Sequence, residues 1–206
     1  MPSTVRGRFF YLYMVMDLYS RKAVACQVYE HESGDLAAEL ITDACIREKI
    51  PEEQVTLHSD NGSPMKSATM LAKLQDLGVI PSFSRPSISN DNPYSESLFR
   101  TLKYRPEYPD KPFKTIYEAR EWANRFIHWY NREHLHSSIR FVTPEDRHNG
   151  RDIQILANRQ DVYQEAKLKN PERWSGKTRN WNPATEVVLK KFKRVKQTSG
   201  KMKKAA

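Results

Sequence analysis

Residues 55–62, Val55-Thr56-Leu57-His58-Ser59-Asp60-Asn61-Gly62, read as a short buried strand running into a strong turn signal. A carboxylate at the end of such a strand, followed by a glycine turn, is held where a ligand can reach it. Taken alone, Asp-Asn-Gly is more commonly just a strand-ending turn. Its surroundings decide the fold. Upstream, residues 8–17 and 23–30 are aromatic and β-rich and flank the polar turn Leu18-Tyr19-Ser20-Arg21-Lys22, which predicts a hairpin. Residues 35–48 carry Leu36, Leu40, Ala44 and Ile46 at helical spacing behind Ser33, a fitting N-cap. Downstream, helical spacing resumes over 66–76 with Met70, Leu71 and Leu74, and Val79 to Phe83 form another short strand. Strands first, then helix, strand, helix and strand, predict an α/β or α+β layered fold.

A second informative stretch follows the polar loop Ser84 to Asp91. Asn92-Pro93 reads as an N-cap with proline at the first helical position, opening a helix to about Tyr104. Glu96 sits in its first turns, with Arg100 and Lys103 at i+4 and i+7. An exposed salt-bridge stripe is the bland explanation. A longer amphipathic helix over roughly 115–132 aligns Ile116, Ala119, Trp122, Phe126 and Tyr130. After about Arg147 the periodicity weakens, and Trp174 and Trp181 appear among Lys and Arg, which marks a C-terminal extension. There are no internal repeats.

Composition narrows the classes. Phe9 to Met16 is broken by Asp17 and lacks a small-residue cleavage site, so a core strand is expected there and not a signal peptide. No run of about 18 apolar residues exists, so no membrane partner is expected. Cys26 and Cys45 make no metal or redox spacing; small core residues are expected, a disulfide stays open, and an intracellular setting is the default. Of the net charge of +9, eight Lys and Arg lie between Val187 and the end, leaving about +1 on the other residues. That tail, with Lys190, Lys191, Lys193 and Arg194, reads either as a nucleic-acid-binding arm or as a solvated, disordered end.

Two-metal phosphoryl transfer needs hard oxygen ligands holding two divalent ions about 4 Å apart, beside a basic face that grips phosphate. Asp60 and Glu96 are separated by thirty-five residues. Asp60-Asn61-Gly62, that gap, then Tyr94-Ser95-Glu96-Ser97-Leu98-Phe99-Arg100-Thr101-Leu102-Lys103 resembles the DDE transposases and retroviral-type integrases. The resemblance is nearest to the second-frame product of IS3-type bacterial insertion sequences. It continues through Trp129-Tyr130-Asn131, His134, His136 and Thr143-Pro144, covering at least residues 8–147. Each motif alone is weak; their order and spacing make the set specific.

The resemblance implies an RNase H-like catalytic core over 1–147, an extension over 148–189 and the basic tail over 190–206. It implies a polynucleotidyl transferase using Mg²⁺ (or Mn²⁺) on double-stranded DNA, multimeric in the intact enzyme, in the bacterial cytoplasm at the nucleoid. Asp60 and Glu96 match the second and third metal-binding acids. Lys103 matches a DNA-contacting lysine, with Arg100 as a further candidate. In the family the first acid lies on a first strand, just before the hairpin that begins here at Arg8. No acidic residue precedes Asp17. Asp17 itself matches a different family position, at the far end of the second strand, where it pairs with Arg21 or orders the turn. The expectation is therefore a core lacking its first strand, two strands with unpaired edges, and a chain inactive by itself. The alternatives are a non-catalytic DNA-binding remnant and an RNase H-like nuclease that cuts without joining; the Tyr94-Ser95-Glu96-Ser97 stretch favours a transposase.

Several residues invite over-reading. His134 and His136, two apart at a helix end, are expected in packing or on DNA, since no third metal ligand lies nearby. Trp122, Phe126, Trp129 and Tyr130 suit a core better than a base-stacking platform. His58 is expected as a buried, hydrogen-bonded histidine more than a proton relay. Trp174 and Trp181 suit DNA contact and packing equally.

Overall fold

The computed structural model describes residues 1–51, 55–86, 91–187 and 189. Ten regular elements follow in chain order: β1 (Tyr11–Met16), β2 (Ala23–Tyr29), α1 (Gly34–Arg47), β3 (Thr56–Ser59), α2 (Ala68–Asp76), β4 (Ile80–Phe83), α3 (Pro93–Lys103), α4 (Ile116–Arg132), α5 (Pro144–His148) and α6 (Asp152–Lys169).

β1 and β2 form an antiparallel hairpin, with Tyr11 opposite Tyr29 and Met14 opposite Cys26, and a register shift at Val15/Met16. The strand is apolar at every position because both its faces are covered. Leu12, Met14 and Met16 pack with Phe10, Val28, Leu98, Leu102, Trp122 and Phe126, the layer built by α3 and α4. Tyr13 and Val15, on the opposite face, pack with α1 and α2 through Ile41, Met70 and Leu74. β3 and β4 form a separate parallel pair, His58 opposite Ser82. Among the described residues no ladder joins β1 to β3. The two sheets meet through side chains, with Leu57 packing into the same cluster as Tyr13 and Val15.

The helices start as their sequence dictates. Ser33, Thr115 and Thr143 cap α1, α4 and α5 by accepting from Asp35 N, Glu118 N and Asp146 N. Ser67 caps α2 through Met70 N, and it lies so close to Gly34 that a Cβ there would meet Ser67 Oγ at 1.9 Å. Only glycine lets α1 and α2 begin this close together. Asn92, read as the cap of α3, makes no side-chain cap bond, although Pro93 does open the helix.

α4 buries most of the expected stripe: Ala119, Trp122, Phe126 and Tyr130 are all under 6% exposed, and Ile116 is half-buried. Its last turn is fastened to β2 by Asn131, whose Oδ1 accepts from Ala23 N (2.9 Å) while Nδ2 donates to Ala23 O (3.0 Å). The Asn of the Trp-Tyr-Asn run is thus a buried clamp across 108 positions.

Beyond Arg147 the sequence shows no clear helical period, yet α6 runs for 18 residues. Its apolar side chains point around the axis: Leu156 is buried, while Ile153, Val162 and Leu168 are exposed. Trp181 folds back onto Ile139, Val142 and Leu156, and Trp174 lies edge-on to Tyr163. Both tryptophans pack. Cys26 and Cys45 are free thiols. No helix among the described residues is long and apolar enough to cross a membrane.

Replacing Asn131 by leucine keeps the volume and strands the Ala23 amide and carbonyl. Urea denaturation is expected to show a loss of about 2 kcal/mol, the cost of two unsatisfied buried polar groups, and an unchanged midpoint would show that the clamp carries no weight.

Candidate active site

Asp60 follows directly on β3, and its Oδ1 accepts from Gly62 N (3.0 Å), which closes the turn. A Cβ on Gly62 would press to 3.1 Å from that oxygen, so glycine keeps the carboxylate uncrowded. Asn61 Nδ2 donates to Ser84 O (2.8 Å), and Ser84 N donates to Ser59 O (3.0 Å). The loops after β3 and β4 are thereby laced together beneath Asp60.

Glu96 lies in the first turn of α3, where the helix dipole favours an anion. Its backbone amide donates to Asn92 O (3.3 Å) and its side chain is exposed. The salt-bridge stripe does not form: among the described residues no ion pair reaches Glu96, and Arg100 instead sits 5.9 Å from the Tyr104 ring centroid. Arg100 and Lys103 are exposed one and two turns along the same helix. Lys190, Lys191, Lys193 and Arg194 lie outside the described residues.

His58 joins the two halves of this region. Its Nδ1 meets Ser82 Oγ at 3.0 Å and its Nε2 meets Asp91 O at 3.1 Å, with Ser84 Oγ at 3.4 Å. The carboxylate of Asp91 is gripped by Arg85 at both oxygens (2.8 and 2.9 Å) and by the Arg85 amide, which holds its pKa below the usual carboxylate range. The Arg85–Asp91 pair was not legible in the sequence; an Arg and an Asp flanking a polar loop were the signal available.

Asp17 is occupied elsewhere. Its carboxylate accepts from the Tyr19 and Ser20 amides and from Ser20 Oγ (2.5 Å), and meets His148 Nδ1 at 3.3 Å. Burial pushes its pKa up, but those hydrogen bonds outweigh burial and the group lies below its ordinary value. Of the two roles open to it, ordering the turn is what the geometry shows; Arg21, at φ +69°, lies instead over the Tyr94 ring at 3.9 Å. Among the described residues no three His, Cys, Asp or Glu side chains converge as a metal site. Asp60 and Glu96 nevertheless offer exposed hard oxygen donors, the kind Mg²⁺ or Mn²⁺ takes.

The histidines after α4 close the helix end. His134 stacks on Tyr130, and His136 Nδ1 accepts from Ser138 N (3.3 Å). Burial, then His134 and Arg21, push His136 down from 6.5 to about 4. Between those values the unfolded chain binds a proton that the folded chain refuses, so this contribution to stability is lost as pH falls from about 6.5 toward 4. The urea midpoint is expected to drop between pH 7 and pH 5, with His136→Asn flattening the drop; an equal drop in that variant would assign the effect to other groups.

Comparison with known proteins follows the same lines. Residues 1–88 and 77–144 each match a model described as an integrase core domain. The chain is 31% identical to the transposase of insertion sequence element IS904 from Lactococcus lactis, over 66% of this chain and 53% of that protein. It is 28% identical to the putative transposase InsK of element IS150 from Escherichia coli, over 70% of this chain and 50% of that one. The chain thus spans about half the length of these relatives. Its fold resembles a chain of the simian T-cell lymphotropic virus intasome in complex with PP2A regulatory subunit B56 gamma (TM-score 0.56, 15% identity, 69% of this chain and 49% of that one). It also resembles the catalytic core domain of BIV integrase (TM-score 0.50, 19% identity, 66% and 82%). The architecture is RNase H-like, with helices flanking small sheets.

Proposed function

We propose that the chain, which matches integrase core domain models over residues 1–88 and 77–144, is a DDE transposase that serves DNA transposition as a polynucleotidyl transferase, contributing two of the catalytic carboxylates, Asp60 and Glu96. The observation that carries this reading is their placement. One acid ends a strand and the other opens a helix, and the segments that hold them are laced through His58–Asp91 and Asn61–Ser84. Both are exposed and outside any ion pair among the described residues.

Divalent ions bound between such carboxylates supply an activated hydroxyl for in-line attack and stabilise the leaving oxygen. Asp60 and Glu96 would hold them as hard oxygen ligands. Lys103, and beside it Arg100, would hold the DNA backbone, giving affinity without sequence choice. The tail cations Lys190, Lys191, Lys193 and Arg194 would add further phosphate contacts. The DNA partners would be double-stranded element ends and target, bound by a multimer, in the bacterial cytoplasm at the nucleoid. The third carboxylate of the resemblance is not found at a matching position within residues 1–206, so this chain by itself is proposed to be inactive. A second reading is a DNA-binding protein without catalysis, in which the exposed cations Arg100 and Lys103 still hold DNA.

Incubated with Mg²⁺ and DNA, the purified chain is expected to join no strands; joining that disappears in Asp60→Asn would refute its inactivity while upholding that acid. Lys103→Ala is expected to weaken DNA binding evenly across sequences and to lower the salt slope by about one. A loss confined to one sequence would remove Lys103 from the backbone-contact role.

A further inference from the structure

We propose that His58 is a positioning residue that sets the spacing of Asp60 and Glu96, a proposal that rests on the two-carboxylate reading above. His58 lies one strand period before Asp60. A carbonyl can only accept, so Nε2 carries the proton given to Asp91 O, and in the neutral ring Nδ1 accepts from the Ser82 hydroxyl. The ring is therefore fixed at both nitrogens, one on the neighbouring strand and the other on the backbone that enters α3.

That backbone needs an external anchor. Asn92 forms no side-chain cap, so the first turn of α3 is not oriented by its own N-cap. Asp91 immediately precedes Asn92, and Asn92 O in turn receives the Glu96 amide. A continuous path of hydrogen bonds and covalent backbone thus runs from His58 to Glu96. Arg85 also grips the Asp91 carboxylate at both oxygens, but Arg85 follows β4, so among these contacts it is His58 that ties Asp91 to β3, the strand that carries Asp60. Groups that ligate metals jointly must hold their places within about 0.5 Å, which calls for supporting contacts of this kind.

The side-chain lengths of asparagine and glutamine separate the two ends of the ring. His58→Asn retains a polar atom near Nδ1 and loses the reach to Asp91; His58→Gln retains the reach. Each is made in the full 206-residue chain and examined by amide hydrogen exchange and by electron paramagnetic resonance of Mn²⁺ binding. In His58→Asn, exchange over residues 91–98 is expected to accelerate while α4 stays protected, and Mn²⁺ affinity to fall about tenfold, the low end for groups that orient metal ligands. His58→Gln is expected to restore both. Equal behaviour of the two variants, or an unchanged His58→Asn, overturns the proposal. If His58→Asn does not fold, Ser82→Ala decides: release of Nδ1 should loosen residues 91–98, and unaltered exchange there overturns the proposal. If the unmodified chain binds Mn²⁺ no better than Asp60→Asn and Glu96→Gln, the metal reading fails, while the exchange comparison still judges His58.

Discussion

The two β-ladders are held together by the apolar layer beneath α1 and α2, and the site depends on that layer. A two-stranded sheet has little stability of its own, and here there are two, with no ladder between them among the described residues. Tyr13 and Val15 from the hairpin and Leu57 from β3 enter one cluster with Ile41, Met70, Leu74 and Val79. Burying a side chain the size of Met70 or Leu74 is worth about 1.5–3 kcal/mol, more than a typical net hydrogen bond of about 1 kcal/mol. Packing therefore does the work of a ladder. The close approach of Gly34 and Ser67 brings α1 and α2 near enough for it.

At the turn of the hairpin, polar contacts fasten the C-terminal part. His148 on α5 meets both Asp17 in the β1–β2 turn and Glu48 at the end of α1, and Glu48 also pairs with Lys22 (3.3 Å). Arg147, 1% exposed, donates to Tyr19 O (2.8 Å) and Ala184 O (2.6 Å) and lies 3.5 Å from Asp152. A buried guanidinium is costly without partners for its donors, and those of Arg147 come from three separate segments. Asp17 is thus an organiser of the turn that receives α5, a role incompatible with offering both oxygens to a metal.

What the sequence made legible was local or periodic. The hairpin followed from its β-rich runs, α1 from Ser33 and its spacing, although Ile46 is exposed, and α4 from a stripe that is buried apart from the half-buried Ile116. Asp60 and Glu96 stand out as candidates because each belongs to a contiguous motif. The illegible parts rest on distant partners: His58 and Asp91 are 33 positions apart, Asn131 and Ala23 108, Arg147 and Tyr19 128. No local pattern encodes such pairings. α6 escaped because its apolar residues are scattered around the helix, so the period that announces a buried face is absent.

The division between acids and supports has a physical basis. A carboxylate that is to bind a metal must keep its lone pairs open, so it cannot also be locked by neighbours as Asp17 is. Its precision must come from the backbone beneath it. Asp60 uses one oxygen on its own turn, and the rest of its constraint passes through Asn61 and Ser84. Among the described residues Glu96 makes no ion pair, so its constraint comes through the helix that carries it, and that helix begins without its own side-chain cap. The less a ligand is held by its own side chain, the more its position depends on where its element starts. In this fold that start is fixed from β3, the same strand that delivers the other acid.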